Sequence, residues 1–162
     1  MSNRPVSRIV FVCTGNTCRS PLAEALMRRA LDARGHGEIE VSSAGIGAWD
    51  GAPASEGSLL VGLEHGLDLS RHRARLLTRE LARSADLVLA MSGQQRDRAA
   101  ALGAGERAHT LGEFAGASGA GADVPDPFGA DLDAYRVTFR QLETLVDAVA
   151  ARIAAGRPGE PR

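Results

Sequence analysis

Cysteine is scarce in this chain, and both cysteines sit together. Cys13 and Cys18 are the only two among 162 residues. Two cysteines five apart cannot form the disulfide framework of a small secreted domain. No His/Cys spacing suggests a metal site, and no metal or other cofactor is expected. Long apolar runs are missing as well, so no segment reaches membrane-spanning length. The polar stretch Met1 to Arg8 has no apolar signal core, and a cytoplasmic location is expected. Charge of one sign is not in excess. A formal net charge of −1 argues against a broad polyanion-binding surface, so nucleic acid is not an expected partner. There is no internal repeat and no sign of a second domain. The oligomeric state stays open, with a monomer favoured.

What remains is a composition of 44% hydrophobic and 24% charged residues, that of a soluble globular domain with a sizeable core. One domain is expected over 1–155, followed by a disordered tail at 156–162 containing Pro158 and Pro161. Strand and helix signals alternate along it. Ile9-Val10-Phe11-Val12 and Leu87-Val88-Leu89-Ala90-Met91 are continuous apolar runs, as in strands buried on both faces. Ile39 and Val41 alternate with polar neighbours, and Ala108 to Leu111 is a weaker run; both suggest edge strands. Helices are predicted over Pro21–Arg34, with Ser20 as cap and Pro21 in the first position, and over Ala54–His65 and Gln94–Leu102. A last helix is predicted from about Asp131. Its stripe Leu132, Tyr135, Phe139, Leu142, Val146, Val149 and Ile153 would fit a coiled coil, but its short length favours packing on a sheet. These signals describe a single-domain α/β fold, a small doubly wound parallel sheet with helices on both faces. Gly116 to Ala122 reads as one flexible loop.

The densest chemistry lies at Cys13-Thr14-Gly15-Asn16-Thr17-Cys18-Arg19-Ser20-Pro21, between the first strand and the first helix. In a doubly wound sheet the C-terminal end of a central strand is where ligands bind. Backbone N–H groups converging before a helix N-terminus favour an anion, whether a thiolate at Cys13 or phosphoryl oxygens. Arg19 adds a planar fork able to grip two oxygens. Ser20 can donate a hydrogen bond to the Cys13 sulfur and help it leave. Gly15 and Asn16 tolerate the positive φ of a tight cradle. A cysteine and an arginine five apart also arise by chance. The strand before, the Gly-Asn inside and the Ser-Pro after separate this segment from a buried cysteine beside an unrelated arginine. Displacing a phosphoryl group needs an acid, and Asp126, fixed between Pro125 and Pro127, is the candidate.

Together with Asp126-Pro127, this segment resembles the low-molecular-weight protein-tyrosine-phosphatase family. The likeness extends through Ser42-Ser43-Ala44-Gly45, Gly66 to Arg75 and Ala85 to Met91, leaving out only the termini and Gly116–Ala122. The resemblance implies a four-stranded parallel sheet of order 2-1-3-4 with the phosphate loop after the first strand. It implies that Cys13 attacks phosphorus to form a phosphocysteine. Arg19 and the amides of Thr14, Gly15, Asn16, Thr17, Cys18 and Ser20 would hold the phosphoryl oxygens. Asp126 would protonate the leaving group and then activate water. Asn16, Ser20, Ser43 and His72 would support the strained loop, and Trp49 would stand at the cleft wall with Phe128 nearby. No metal would be needed, and the partners would be phosphorylated proteins or peptides. His36, His65 and His109 read as structural or solvated.

Substrate choice rests on single residues. Thr17 stands where tyrosine-specific members carry isoleucine. The bacterial protein-arginine-phosphatases of the family share Thr17 and also resemble this chain at Asp126-Pro127-Phe128-Gly129. A smaller, hydroxylated rim leaves room for a phosphoguanidinium, so phosphoarginine is the favoured substrate and phosphotyrosine the alternative. Cys18 is either packing or a resolving thiol able to close a reversible disulfide with oxidised Cys13. A thiol-dependent arsenate reductase shares the fold, but its relay needs cysteines well downstream and none follows Cys18. A binding-only protein would be expected to lack Cys13, Arg19 or Asp126.

Overall fold

The computed structural model describes residues 5–117 and 122–156. Its centre is β1 (Arg8–Cys13), whose side chains from Ile9 onward are all buried. Successive strand residues point to opposite faces, so a fully buried run needs cover on both sides. Ile9 and Phe11 face a layer built from Leu22, Leu26 and Met27 of α1 (Arg19–Ala33) and Phe139, Leu142 and Val146 of α6 (Leu132–Ala155). Val10 and Val12 face a smaller cluster with Ala82, Ala99 and Leu102. The apolar stripe of α6 is therefore core.

β2 (Glu40–Gly45), β3 (Leu87–Ala90) and β4 (Ala108–Thr110) complete an all-parallel sheet of order β2-β1-β3-β4, as expected. Between them lie α2 (Glu56–Glu64), α3 (Arg79–Ser84), α4 (Gly93–Ala99) and α5 (Leu111–Phe114). α3 and α5 have no counterpart in the sequence reading; each is less than two turns long and shows no measurable apolar period. The helix predicted over Gln94–Leu102 loosens after Ala99 into a π turn and then a 3₁₀ turn, because Gly103 adopts φ 134°. The expected loop over Gly116–Ala122 and the expected tail lie largely outside the described residues.

One local reading is corrected. α1 begins at Arg19, not Pro21, and no side chain caps it. Ser20 is inside the helix, its hydroxyl turned to Cys13 and Asn16 instead of the helix amides. Pro21 then sits in the first turn, where a missing N–H costs nothing.

Gly45 ends β2 against the loop. A Cβ there would collide with the Thr14 carbonyl and stand 2.9 Å from the Asn16 nitrogen. Only glycine lets the two backbones approach so closely.

Candidate active site

The loop from Cys13 to Arg19 is held by its carbonyl groups. The Cys13 oxygen accepts from Ile46 N at 3.0 Å, Thr14 O from Gly47 N at 2.9 Å and Thr17 O from Ser55 N at 2.8 Å. His72 Nε2 lies 2.7 Å from Asn16 O, and Ser58 Oγ donates to Cys18 O at 2.9 Å. In a trans peptide, carbonyl and N–H point in opposite directions. Tying five carbonyls to the surroundings therefore turns the amides of Thr14, Gly15, Thr17, Cys18 and Arg19 the other way, towards a common interior. The uncapped start of α1 adds its own positive end.

Of the two residues expected at positive φ, Asn16 adopts it and Gly15 does not. Asn16 is the only described non-glycine residue at positive φ, 57°. It is fully buried, and every polar group of its side chain is used. Its Nδ2 donates to Ser20 Oγ at 2.8 Å and Ser43 Oγ at 2.9 Å; its Oδ1 accepts from Arg75 N at 3.0 Å. Satisfied buried polar groups of this kind over-determine a costly conformation.

These bonds also orient protons. Ser43 Oγ accepts from Asn16 and donates to Glu24 Oε1 at 2.6 Å. Ser20 Oγ accepts from the same amide, so its own proton is free for Cys13 Sγ, 2.9 Å away. Asn16 N donates to that sulfur at 3.3 Å. Cys13 thus receives two hydrogen bonds that suit an anion.

Arg19 is 6% exposed. Its Nη1 donates to Val124 O at 2.9 Å, and Nη2 lies 3.6 Å from Asp126 Oδ2. Its Nε is buried with no partner among the described residues. The Nε–Nη2 edge therefore carries no hydrogen bond to a described residue. Asp126 Oδ1 accepts from Phe128 N at 3.0 Å, which fixes the Asp-Pro turn.

The resulting cleft, about 320 Å³, is lined by Cys13, Thr14, Gly15, Thr17, Cys18, Arg19, Trp49, Ala52, Asp126 and Phe128. Trp49 is 84% and Phe128 73% exposed, so both stand as rim walls. Asn16, Ser20, Ser43 and His72 lie outside the lining, behind the cradle. The Cys18 thiol donates to Ser55 Oγ at 3.3 Å and lies 3.5 Å from Tyr135 OH. Burial, then the Cys18 hydrogen bond, raise the Tyr135 phenol above its ordinary value and keep it neutral.

Sequence reasoning missed several supports. Glu24 is one helical turn beyond Ser20, a spacing that could have flagged it. Gln95 accepts from Met91 N at 3.0 Å and donates to Thr14 Oγ1 at 3.1 Å, bracing the loop from α4. Arg75, Gln95 and Tyr135 carry no local signal. His65 stacks on Phe139 with centroids 4.0 Å apart, His109 packs on Phe114, and His36 is buried, so all three are structural. Among the described residues no group of three or more His, Cys, Asp or Glu is placed to hold a metal, and no helix is long and apolar enough to cross a membrane.

This geometry has known counterparts. The family model "Low molecular weight phosphotyrosine protein phosphatase" matches residues 8–158. A probable low molecular weight protein-tyrosine-phosphatase, EpsP of Ralstonia nicotianae, is 37% identical over 155 residues, covering 93% of this chain and 98% of its own length. A protein-arginine-phosphatase of Geobacillus stearothermophilus is 39% identical over 148 residues, covering 90% and 95%. Among solved structures, a mutant of YwlE arginine phosphatase with a phosphorylated active-site serine superposes with a TM-score of 0.83 at 38% identity, over 90% of this chain and 94% of that one. Family model, relatives and fold agree with the loop that the sequence placed after β1: the chain belongs to the low molecular weight phosphotyrosine protein phosphatase family and is an enzyme of that family.

Proposed function

We propose that the protein dephosphorylates phosphoarginine in proteins, with Cys13 as nucleophile, Arg19 as phosphoryl clamp and Asp126 as acid and base. The Cys13 thiolate attacks phosphorus in line with the leaving atom. The bond from phosphorus to that nitrogen breaks as Asp126 delivers it a proton. Arg19 and the inward amides balance the charge on the three equatorial oxygens. Asp126, now ionised, takes a proton from water, which attacks the phosphocysteine. Phosphate forms and the Cys13 thiolate leaves, received by the Ser20 hydroxyl.

The observation that carries the substrate reading is Thr17 in the lining of the cleft that Asp126 also lines. A short hydroxylated side chain leaves space and a polar contact for a guanidinium, and Asp126, once ionised by giving up its proton, can pair with the leaving guanidinium. The arginine-phosphatase relatives support the same reading. Phosphotyrosine is the second reading, favoured by the exposed rings of Trp49 and Phe128, which could flank a flat aromatic group. The test is kcat/KM on paired peptides bearing phosphoarginine or phosphotyrosine, with Cys13→Ser as blank. A phosphoarginine preference of tenfold or more supports the proposal; an equal or greater rate on phosphotyrosine overturns it.

A further inference from the structure

A second cavity, about 420 Å³, shares no lining residue with the catalytic cleft. Arg71, His72, Arg73 and Arg75 line it together with Ser42, Ser43, Glu24, Arg28 and Asp68. Four arginines thus face two carboxylates, a net charge of +2 with His72 neutral, in a chain whose overall charge is −1. Arg28 is already committed: its Nη2 lies 2.9 Å from Glu24 Oε2 and donates to Val41 O at 2.7 Å. Arg71 interacts electrostatically with Asp68 of the same lining, yet it, Arg73 and Arg75 keep hydrogen-bond donors unspent. Arg73 spends Nη1 on His72 O at 2.7 Å and Arg75 spends Nε on Ser43 O at 3.1 Å. Their remaining guanidinium donors, and those of Arg71, have no hydrogen-bond partner among the described residues.

We propose that this cavity is a binding site for a small organic phosphate, and that its occupancy acts on the catalytic loop. Guanidinium forks match phosphate oxygens two at a time. The volume exceeds that of inorganic phosphate and suits a small phosphate ester. The concave shape favours a compact dianion over an extended acidic peptide.

The coupling is direct. Arg75 N donates to Asn16 Oδ1 at 3.0 Å, His72 Nε2 reaches Asn16 O at 2.7 Å, and Ser43 Oγ accepts from Asn16 Nδ2 at 2.9 Å. Three lining residues therefore hold the one left-handed residue of the phosphate loop. A ligand that orders them biases the loop towards its catalytic shape. The regulatory half of the proposal rests on the phosphatase reading; the binding half does not.

The probe is phosphonoacetate, which cannot be hydrolysed, followed by amide chemical shifts. In Arg19→Ala, whose cradle is disabled, saturable shifts are expected to persist at Ser42, Ser43 and residues 71–75. In Arg71→Ser/Arg73→Ser those shifts weaken at least tenfold in Kd while shifts at residues 13–19 remain. If Arg19→Ala does not fold, wild type with vanadate filling the cradle replaces it. Tighter binding of phosphonoacetate than of inorganic phosphate assigns the site to an organic phosphate; equal affinity assigns it to phosphate itself and overturns the ester. Shifts at 71–75 that vanish once the cradle is disabled or filled overturn the site. Saturable shifts at residues 71–75 with hexaglutamate, and none with phosphonoacetate, overturn it in favour of a peptide-docking face. For coupling, occupancy is expected to raise kcat on p-nitrophenyl phosphate at least twofold in wild type and not in Arg71→Ser/Arg73→Ser. Binding without a change in kcat overturns the regulatory half.

Discussion

Ser20 Oγ stands 2.9 Å from Cys13 Sγ while accepting from Asn16 Nδ2, so its proton is available to a thiolate there. A hydrogen bond to a charged group contributes about 1.5–3 kcal/mol. Removing it with Ser20→Ala is expected to lower kcat about 10- to 100-fold with KM little changed, since the bond matters most when the thiolate departs. Steady-state kinetics on an aryl phosphate reads the split. An unchanged kcat would mean that the hydroxyl has no part in the reaction.

Thr17 lines the cleft and is the proposed selector. Replacing it with isoleucine adds apolar bulk at the rim. Thr17→Ile is expected to move the ratio of kcat/KM values towards phosphotyrosine by about tenfold, the usual scale for an apolar rim change. Paired peptides measure it, and an unmoved ratio would remove Thr17 from the substrate argument.

Cys18 lines the same cleft as Cys13 and donates to Ser55. Oxidation of Cys13 to a sulfenic acid by peroxide would let the Cys18 thiolate displace water and close a disulfide, provided the Ser55 and Tyr135 contacts release it. After peroxide inactivation and thiol reductant, wild type is expected to regain most of its activity and Cys18→Ser far less. Equal recovery would leave Cys18 as packing alone.

His109 offers a stability test remote from the chemistry. Burial first, then the nearby Arg152 guanidinium, depress its imidazole below the usual value. The folded protein therefore resists protonating it, while the unfolded chain takes the proton near pH 6.5. Its contribution is complete above that pH and is lost as pH falls through the unfolded value towards the folded one. Urea midpoints are expected to drop from pH 7.5 to 5.5 in wild type, and less in His109→Gln. Parallel slopes would assign the drop to other groups.

Much of this was legible because it is local. β1, the loop and the start of α1 are contiguous, and a doubly buried strand must read as an unbroken apolar run. Asp126 stood out because two prolines frame it. Ser20-Pro21 misled, since a serine before proline looks like a cap and nothing local reveals that its hydroxyl serves Cys13. The partners of the network were hidden by distance along the chain. Arg75 and Gln95 meet the loop from segments about sixty to eighty residues away, and Tyr135 reaches Cys18 across 117. Only the closed sheet brings them together.

Cys13 carrying the phosphoryl group is the central claim. Asp126→Asn keeps the clamp and the nucleophile but removes the acid and base, so an aryl phosphate with a good leaving group is expected to load the enzyme faster than water unloads it. Intact mass after rapid acid quench, followed by peptide mapping, is the measurement. The predicted result is one phosphoryl group per chain on Cys13, absent from Cys13→Ser/Asp126→Asn. Turnover by Asp126→Asn with no phosphocysteine, or a label on any other residue, would contradict it.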